Sequence, residues 1–162
     1  MKTNNLIVDS FDKLPSPSYV CEEKLLEKNL ILLKRIQDEA DVNILLALKG
    51  FAMWSTFDLC KKYLKGCCAS GLHEAILAKE EFEGEVHTYS AAFKDDEIDE
   101  IISISNHVVF NSFNQLKRYK DKAFGKTSLG IRLNPEYSSV EVDLYNPCAP
   151  FSRMGTTKAN FD

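Results

Sequence analysis

Ile44-Leu45-Leu46-Ala47-Leu48, followed at once by Lys49-Gly50, is the stretch on which the fold turns. It is apolar without alternation and too short for an ordinary helix, which suits a strand buried on both faces, as in a parallel sheet. Ahead of it, from Glu22 to Asp38, Leu25, Leu26, Leu30, Leu32, Leu33 and Ile36 recur at helical spacing among Glu and Lys, the pattern of an amphipathic helix. Behind it the same unit returns: a helix over Thr56 to Leu64, a short strand Cys67-Cys68-Ala69, and a helix from Leu72 to Glu83 that ends at Gly84. Glu85 to Tyr89 then reads as a strand, Asp95 to Ser105 as a helix, His107 to Phe110 as a strand, Phe113 to Ala123 as a helix and Leu129 to Leu133 as a strand.

Strands alternating with helices at short, even intervals make an α/β protein with a parallel sheet, either open and doubly wound or closed into a (β/α)8 barrel. Periodicity does not choose between them. A barrel takes about 200 to 250 residues, so on that reading the 162 residues reach roughly the fifth strand. The last stretch, 134–162, carries Pro135, Pro147, Pro150 and Gly155 without clear periodicity, and reads as a long functional loop leading into a strand that the chain lacks.

Composition narrows the class of function. The chain is 44% hydrophobic and 27% charged, enough for one sizeable core. Its formal net charge of -4 is spread among scattered lysines and acids, with no basic stripe to follow a nucleic acid. No apolar run approaches the roughly 20 residues of a membrane span, and residues 1–10 lack the pattern of a signal peptide, so the expected setting is the cytoplasm. There are five cysteines, at 21, 60, 67, 68 and 148, without C-x-x-C spacing, and free thiols are expected.

Chemistry enters at Lys49. It ends a buried strand at the carboxyl edge, where parallel α/β folds place their sites, and partial burial there would lower its pKa and make it a Schiff-base former. A strand-end lysine that simply extends its ammonium to water is the plain alternative.

Pro15-Ser16-Pro17-Ser18-Tyr19-Val20, ALKGFA at 47–52, ASGLHEA at 69–75, RLNPEYS at 132–138 and DLYNPCAPFSRMG at 143–155 resemble, in order and spacing, the carboxynorspermidine decarboxylases. These belong to the alanine-racemase-like (fold type III) pyridoxal-phosphate enzymes. The resemblance implies a (β/α)8 barrel of the alanine-racemase type, incomplete at about five strands. Residues 1–20 would belong to a second, mostly β domain, and residues 21–162 would form the amino-terminal portion of the cofactor-binding barrel. It implies decarboxylation of carboxynorspermidine or carboxyspermidine to norspermidine or spermidine, with pyridoxal 5'-phosphate held covalently by Lys49 and a homodimer as the full-length assembly.

Other residues take roles from this resemblance or from their own place in the pattern. Arg132 would point into the barrel mouth beside the cofactor, its charge fixed; a surface ion pair is the rival reading. Ser70 and Gly71 would turn backbone N–H groups toward an anionic group, with Ser70 as an N-cap. His73 would either face the cofactor or be an ordinary first-turn residue, and Glu74 would pair with Arg132. Arg153, in Ser152-Arg153-Met154-Gly155, would offer its planar fork to a substrate carboxylate or lie on the surface. No metal is expected from Cys67, Cys68 and His73, because adjacent cysteines on a strand face opposite ways. His87 reads as a packed core histidine, and Asp95 to Glu100 as a solvated helix face.

Other parts that this group uses are expected beyond Asp162: a histidine stacked on the cofactor, a glycine-rich phosphate loop and the acid that meets the ring nitrogen. The 162 residues alone are therefore expected neither to hold cofactor tightly nor to turn over substrate. Two other readings stand beside this one, a pyridoxal-phosphate-binding barrel without catalysis and an inactive fragment that associates through an open strand edge.

Overall fold

The computed structural model describes residues 13–161. Five parallel strands, β1 (Leu45–Ala47), β2 (Gly66–Ala69), β3 (Glu85–Tyr89), β4 (His107–Phe110) and β5 (Ser128–Ile131), lie side by side in the order of the sequence. A doubly wound sheet reverses its strand order at a switch point; here every strand pairs with its successor, as in a segment of a (β/α) barrel. The linking helices are α2 (Phe57–Cys60), α3 (Leu72–Leu77), α4 (Ile98–Ile104) and α5 (Phe113–Ala123), and α1 (Glu23–Ala40) precedes the sheet.

Register sorts the strand residues by face, because paired residues of a parallel sheet point the same way. Leu48, Cys67, Ala69, Val86, Val108 and Phe110 turn to the helices and are buried. Ala47, Cys68, His87, His107 and Ser128 form a continuous row on the opposite, open face. So β1 is not buried on both sides: Leu45 and Leu46 are half-buried and Ala47 is exposed, since among the described residues nothing packs over the open face there.

The helices obey a narrower pattern than their apolar residues suggest. On α1 only Leu26, Leu30 and Leu33 meet the core, while Leu25, Leu32 and Ile36 stay exposed. The core-facing row is completed by Gln37, which is buried, donates from Nε2 to the Tyr63 carbonyl at 2.7 Å and accepts at Oε1 from the Ile44 amide at 2.7 Å. A buried amide so satisfied ties the helix to the start of β1. The helix expected over Thr56 to Leu64 is a 3-10 turn, Trp54–Thr56, followed by one α-turn.

The expected stop of the next helix at Gly84 is also displaced. After Leu77 the chain widens into a π-turn, Ala78–Phe82, and Glu83 takes the left-handed position at φ 61°. The π-turn carries Phe82 to the Phe57 ring, centroids 5.5 Å apart and edge to face. Gly84 serves close approach instead of helix termination: a Cβ there would stand 2.7 Å from the Lys65 carbonyl oxygen.

Among the later elements β4 and α5 fall at the anticipated bounds, whereas α4 starts three residues later than expected and β5 runs Ser128–Ile131 instead of Leu129 to Leu133. The acids before and within α4 do more than meet solvent. Asp95 accepts from the Tyr119 hydroxyl at 2.8 Å and pairs with Arg118, and Asp99 pairs with Lys122 at 2.8 Å, so they bind α4 and its approach to α5.

The stretch 134–161 does not run away from the sheet. It folds back so that Thr156 bridges Leu133 in parallel, with the Thr156 amide donating to the Arg132 carbonyl and the Asn134 amide to the Thr156 carbonyl, each at 2.8 Å. One residue of a sixth parallel strand is thus laid on the edge of β5. Of the expected segment 1–20, residues 1–12 lie outside the described residues, and 13–20 run exposed ahead of α1. No described helix is long and apolar enough to cross a membrane.

Candidate active site

Each strand ends at the same edge, and polar residues follow in turn: Lys49 after β1, Ser70 after β2, Tyr89 closing β3, Asn111 after β4 and Arg132 after β5. Lys49 lies in the tight turn that follows β1, closed by bonds from the Gly50 and Phe51 amides to the Ala47 carbonyl at 3.0 and 3.1 Å. It is exposed, so the expected partial burial is absent; the open face above β1 has no covering layer among the described residues. Its charge is felt by its neighbour across the strands. Although the Cys68 side chain reaches solvent, the surrounding sheet partly desolvates its thiol and pushes it up, and the Lys49 ammonium works against that shift.

Arg132 is half-buried and held from three sides. Its amide donates to the Phe110 carbonyl at 2.9 Å, its own carbonyl accepts from Thr156, and its guanidinium lies 4.9 Å from the centre of the Tyr89 ring. That cation–π contact fixes a charge that meets no carboxylate among the described residues. Glu74 is not its partner. The Glu74 carboxylate instead accepts from the Ser70 amide at 2.8 Å, reaching back four residues over the first turn of α3.

This bond also revises Ser70. Its N–H is taken by Glu74, and the N-cap is Gly71, in extended backbone at φ 172° and without a side-chain cap. His73 stands exposed in the first turn of α3. Arg153 is exposed, with its carbonyl tied to the Asn111 side chain at 2.8 Å.

Tyr89 and Asn111 organise this edge, and neither is singled out by the sequence patterns above. Asn111 Oδ1 accepts from the Tyr89 hydroxyl at 2.7 Å and from the Gly155 amide at 2.6 Å, while its Nδ2 donates to Arg153. One side chain therefore joins β3, β4 and the returning loop. Gly155 completes the junction at φ 85°, where a Cβ would stand 3.1 Å from the Arg132 carbonyl oxygen and Cγ. The usable signal was position: Asn111 follows β4 as Lys49 follows β1. Replacing Asn111 with Ala is expected to cost about 1–2 kcal/mol, since the half-buried Tyr89 hydroxyl and Gly155 amide lose their acceptor. Hydrogen exchange at the Gly155 amide checks this; unchanged protection there would refute Asn111 as the tether.

The cysteines are free thiols, and Cys67 and Cys68 do face opposite ways. Cys67 is fully buried on the helix side, its thiol pushed up to about 12 by burial, whereas Cys68 is exposed on the open face. His87 is half-buried on that open face beside His107, ring centroids 4.0 Å apart, and is not part of either apolar core.

No protein-family profile matches the chain. It is 46% identical over 152 residues to a carboxynorspermidine/carboxyspermidine decarboxylase of Campylobacter jejuni. It is 45% identical over 147 residues to a carboxyaminopropylagmatine decarboxylase of Synechocystis, and 40% identical over 142 residues to a carboxynorspermidine/carboxyspermidine decarboxylase of Herminiimonas arsenicoxydans. These matches take in 94%, 90% and 88% of this chain but only 40%, 38% and 39% of the relatives. Among solved structures it is similar to the crystal structure of carboxynorspermidine decarboxylase from Campylobacter jejuni complexed with norspermidine. The TM-score is 0.81 at 42% identity, over 92% of this chain and 38% of that one. The chain spans about two fifths of the length of the relatives it matches.

Proposed function

We propose that this chain, which corresponds to an N-terminal part of the carboxynorspermidine/carboxyspermidine decarboxylases, supplies the lysine-bearing wall of a pyridoxal-phosphate-dependent carboxy-lyase. Its substrate class is a polyamine that carries a carboxyl group, carboxynorspermidine or carboxyspermidine, and its product norspermidine or spermidine. The observation that carries the proposal is the strand edge that bears Lys49 and Arg132, with Arg153 on the loop tied to that edge by Asn111, and none of the three meets a carboxylate among the described residues. The identity with decarboxylases over nearly the whole chain supports it, as does the polyamine in the related crystal structure.

The donor set fits an anionic aldehyde cofactor: a primary amine for covalent attachment and, on the same edge, a guanidinium that retains its charge for an anionic oxygen. Pyridoxal phosphate, when bound, supplies the electron sink that loss of carbon dioxide requires. Lys49 Nζ would attach it and hold or return a proton. Arg132, steadied by Tyr89 and by the Thr156 bridge, presents a positive charge without needing to reorganise. Arg153, on the loop that Asn111 anchors, would offer its fork to the substrate carboxylate. The Ser70 amide already bonds Glu74, so Ser70 would meet an anionic group through its hydroxyl. Residues 1–20 belong, on this reading, to the second domain, and a homodimer completes the site.

The test is chemical. The full chain is incubated with pyridoxal phosphate, reduced with borohydride and digested, and the modified lysine is mapped. Modification confined to Lys49, and lost in Lys49→Ala, is the expected result, because reduction traps even a weakly held aldehyde; modification scattered over surface lysines, or none at saturating cofactor, would overturn the assignment of Lys49.

A further inference from the structure

We propose that Glu85, His87 and His107 form a binding site for a divalent transition-metal ion on the open face of the sheet, near the start of β3 and β4. Strand geometry assembles it. Residues two apart on one strand share a face at a spacing of about 7 Å, and neighbouring strands lie about 4.8 Å apart, so Glu85 and His87 of β3 and His107 of β4 converge. His87 and His107 are register partners. Their rings lie with centroids 4.0 Å apart, and His87 Nε2 is 3.0 Å from a Glu85 carboxylate oxygen. One ligand atom from each of the three residues falls within 4.8 Å of the others, and all three side chains are half-buried.

The donor set specifies the ion. Two imidazoles and one carboxylate suit zinc, cobalt or nickel and poorly suit magnesium or calcium, which prefer oxygen. Bonds of about 2.0–2.2 Å to a common ion need the three atoms somewhat closer than they stand, a change within reach of small side-chain rotations. Three protein ligands leave a fourth position for water. The ion would clamp β3 to β4 where the strands begin, separate from the residues assigned above to the lysine edge.

The two stacked imidazoles with Glu85 as a simple hydrogen-bond acceptor are the competing account. Cobalt titration of the full chain, followed by its visible absorption, decides between them. The expected result is one tightly held cobalt per chain, displaced by zinc, with affinity weakened by more than about tenfold in His107→Ala and Glu85→Gln and unchanged in His73→Ala. Because a variant can disturb the sheet, the wild-type chain provides a second readout. It contains three histidines, and zinc should shift the imidazole NMR signals of two and leave the third, that of His73, in place. Absence of binding to the wild-type chain, equal perturbation of all three histidines, or affinity lost in Cys68→Ser but retained in His107→Ala would overturn the site.

Discussion

Gly66→Ala is expected to abolish the cooperative unfolding transition of this chain. Gly66 opens β2 opposite Glu85 of β3, and a Cβ there would stand 2.0 Å from the Glu85 carbonyl oxygen and 2.6 Å from its nitrogen. All the colliding atoms are backbone, so no side-chain rotation relieves them, and the two strands must part where their pairing starts. Gly84, whose own Cβ would lie 3.0 Å from the Gly66 Cα, sits against the same junction and blocks retreat. The cost belongs to the exceptional class above about 4–5 kcal/mol, comparable to the whole stability of a small domain. Thermal unfolding followed by circular dichroism checks it, with Gly71→Ala as the control, because a Cβ at Gly71 meets nothing within 4 Å. A Gly66→Ala protein that melts cooperatively near the parent temperature would show that the strands can separate at small cost.

Phe82→Ala should lower stability by about 3–5 kcal/mol, the range for removing a buried phenylalanine ring. Phe82 is 1% exposed and meets the edge or face of Phe57, itself 1% exposed, in the larger apolar core with Cys60, Leu64 and Val86. It reaches that position only because the π-turn shifts it relative to an α-helical path, so a replacement loses both the ring and the reason for the turn. The denaturant midpoint reports the change. A shift corresponding to less than about 1 kcal/mol would mean that the surrounding side chains collapse into the cavity, which their packing argues against.

Both effects arise where sequence pattern was least informative. Gly84 looked like a helix stop because glycine commonly occupies the left-handed position after a helix. In the structure Glu83 takes that position, and the glycine answers a steric demand from Lys65, nineteen residues earlier and on another element. Glu74 and Arg132 looked like partners by charge, yet Glu74 finds a donor four residues away at the start of its own helix, and Arg132 finds an aromatic face. A local bond closes with less ordering than a distant one, so proximity along the chain prevails over charge matching.

The sequence by itself determined the alternation of strand and helix, the bounds of β4 and α5, the placing of Lys49 at a strand's carboxyl end and the opposite facing of Cys67 and Cys68. These follow from local periodicity and backbone preference, which a single segment carries within itself. Periodicity left the strand order open and the family resemblance implied a barrel, which the order β1 to β5 matches; tertiary structure alone decided the fold-back of Thr156 onto β5, the Asn111 junction beside Arg132 and the meeting of Glu85, His87 and His107. The physical reason is that a period of two or 3.6 residues tells which face a side chain takes, whereas which faces meet is settled by hydrogen bonding and packing between segments far apart in the chain.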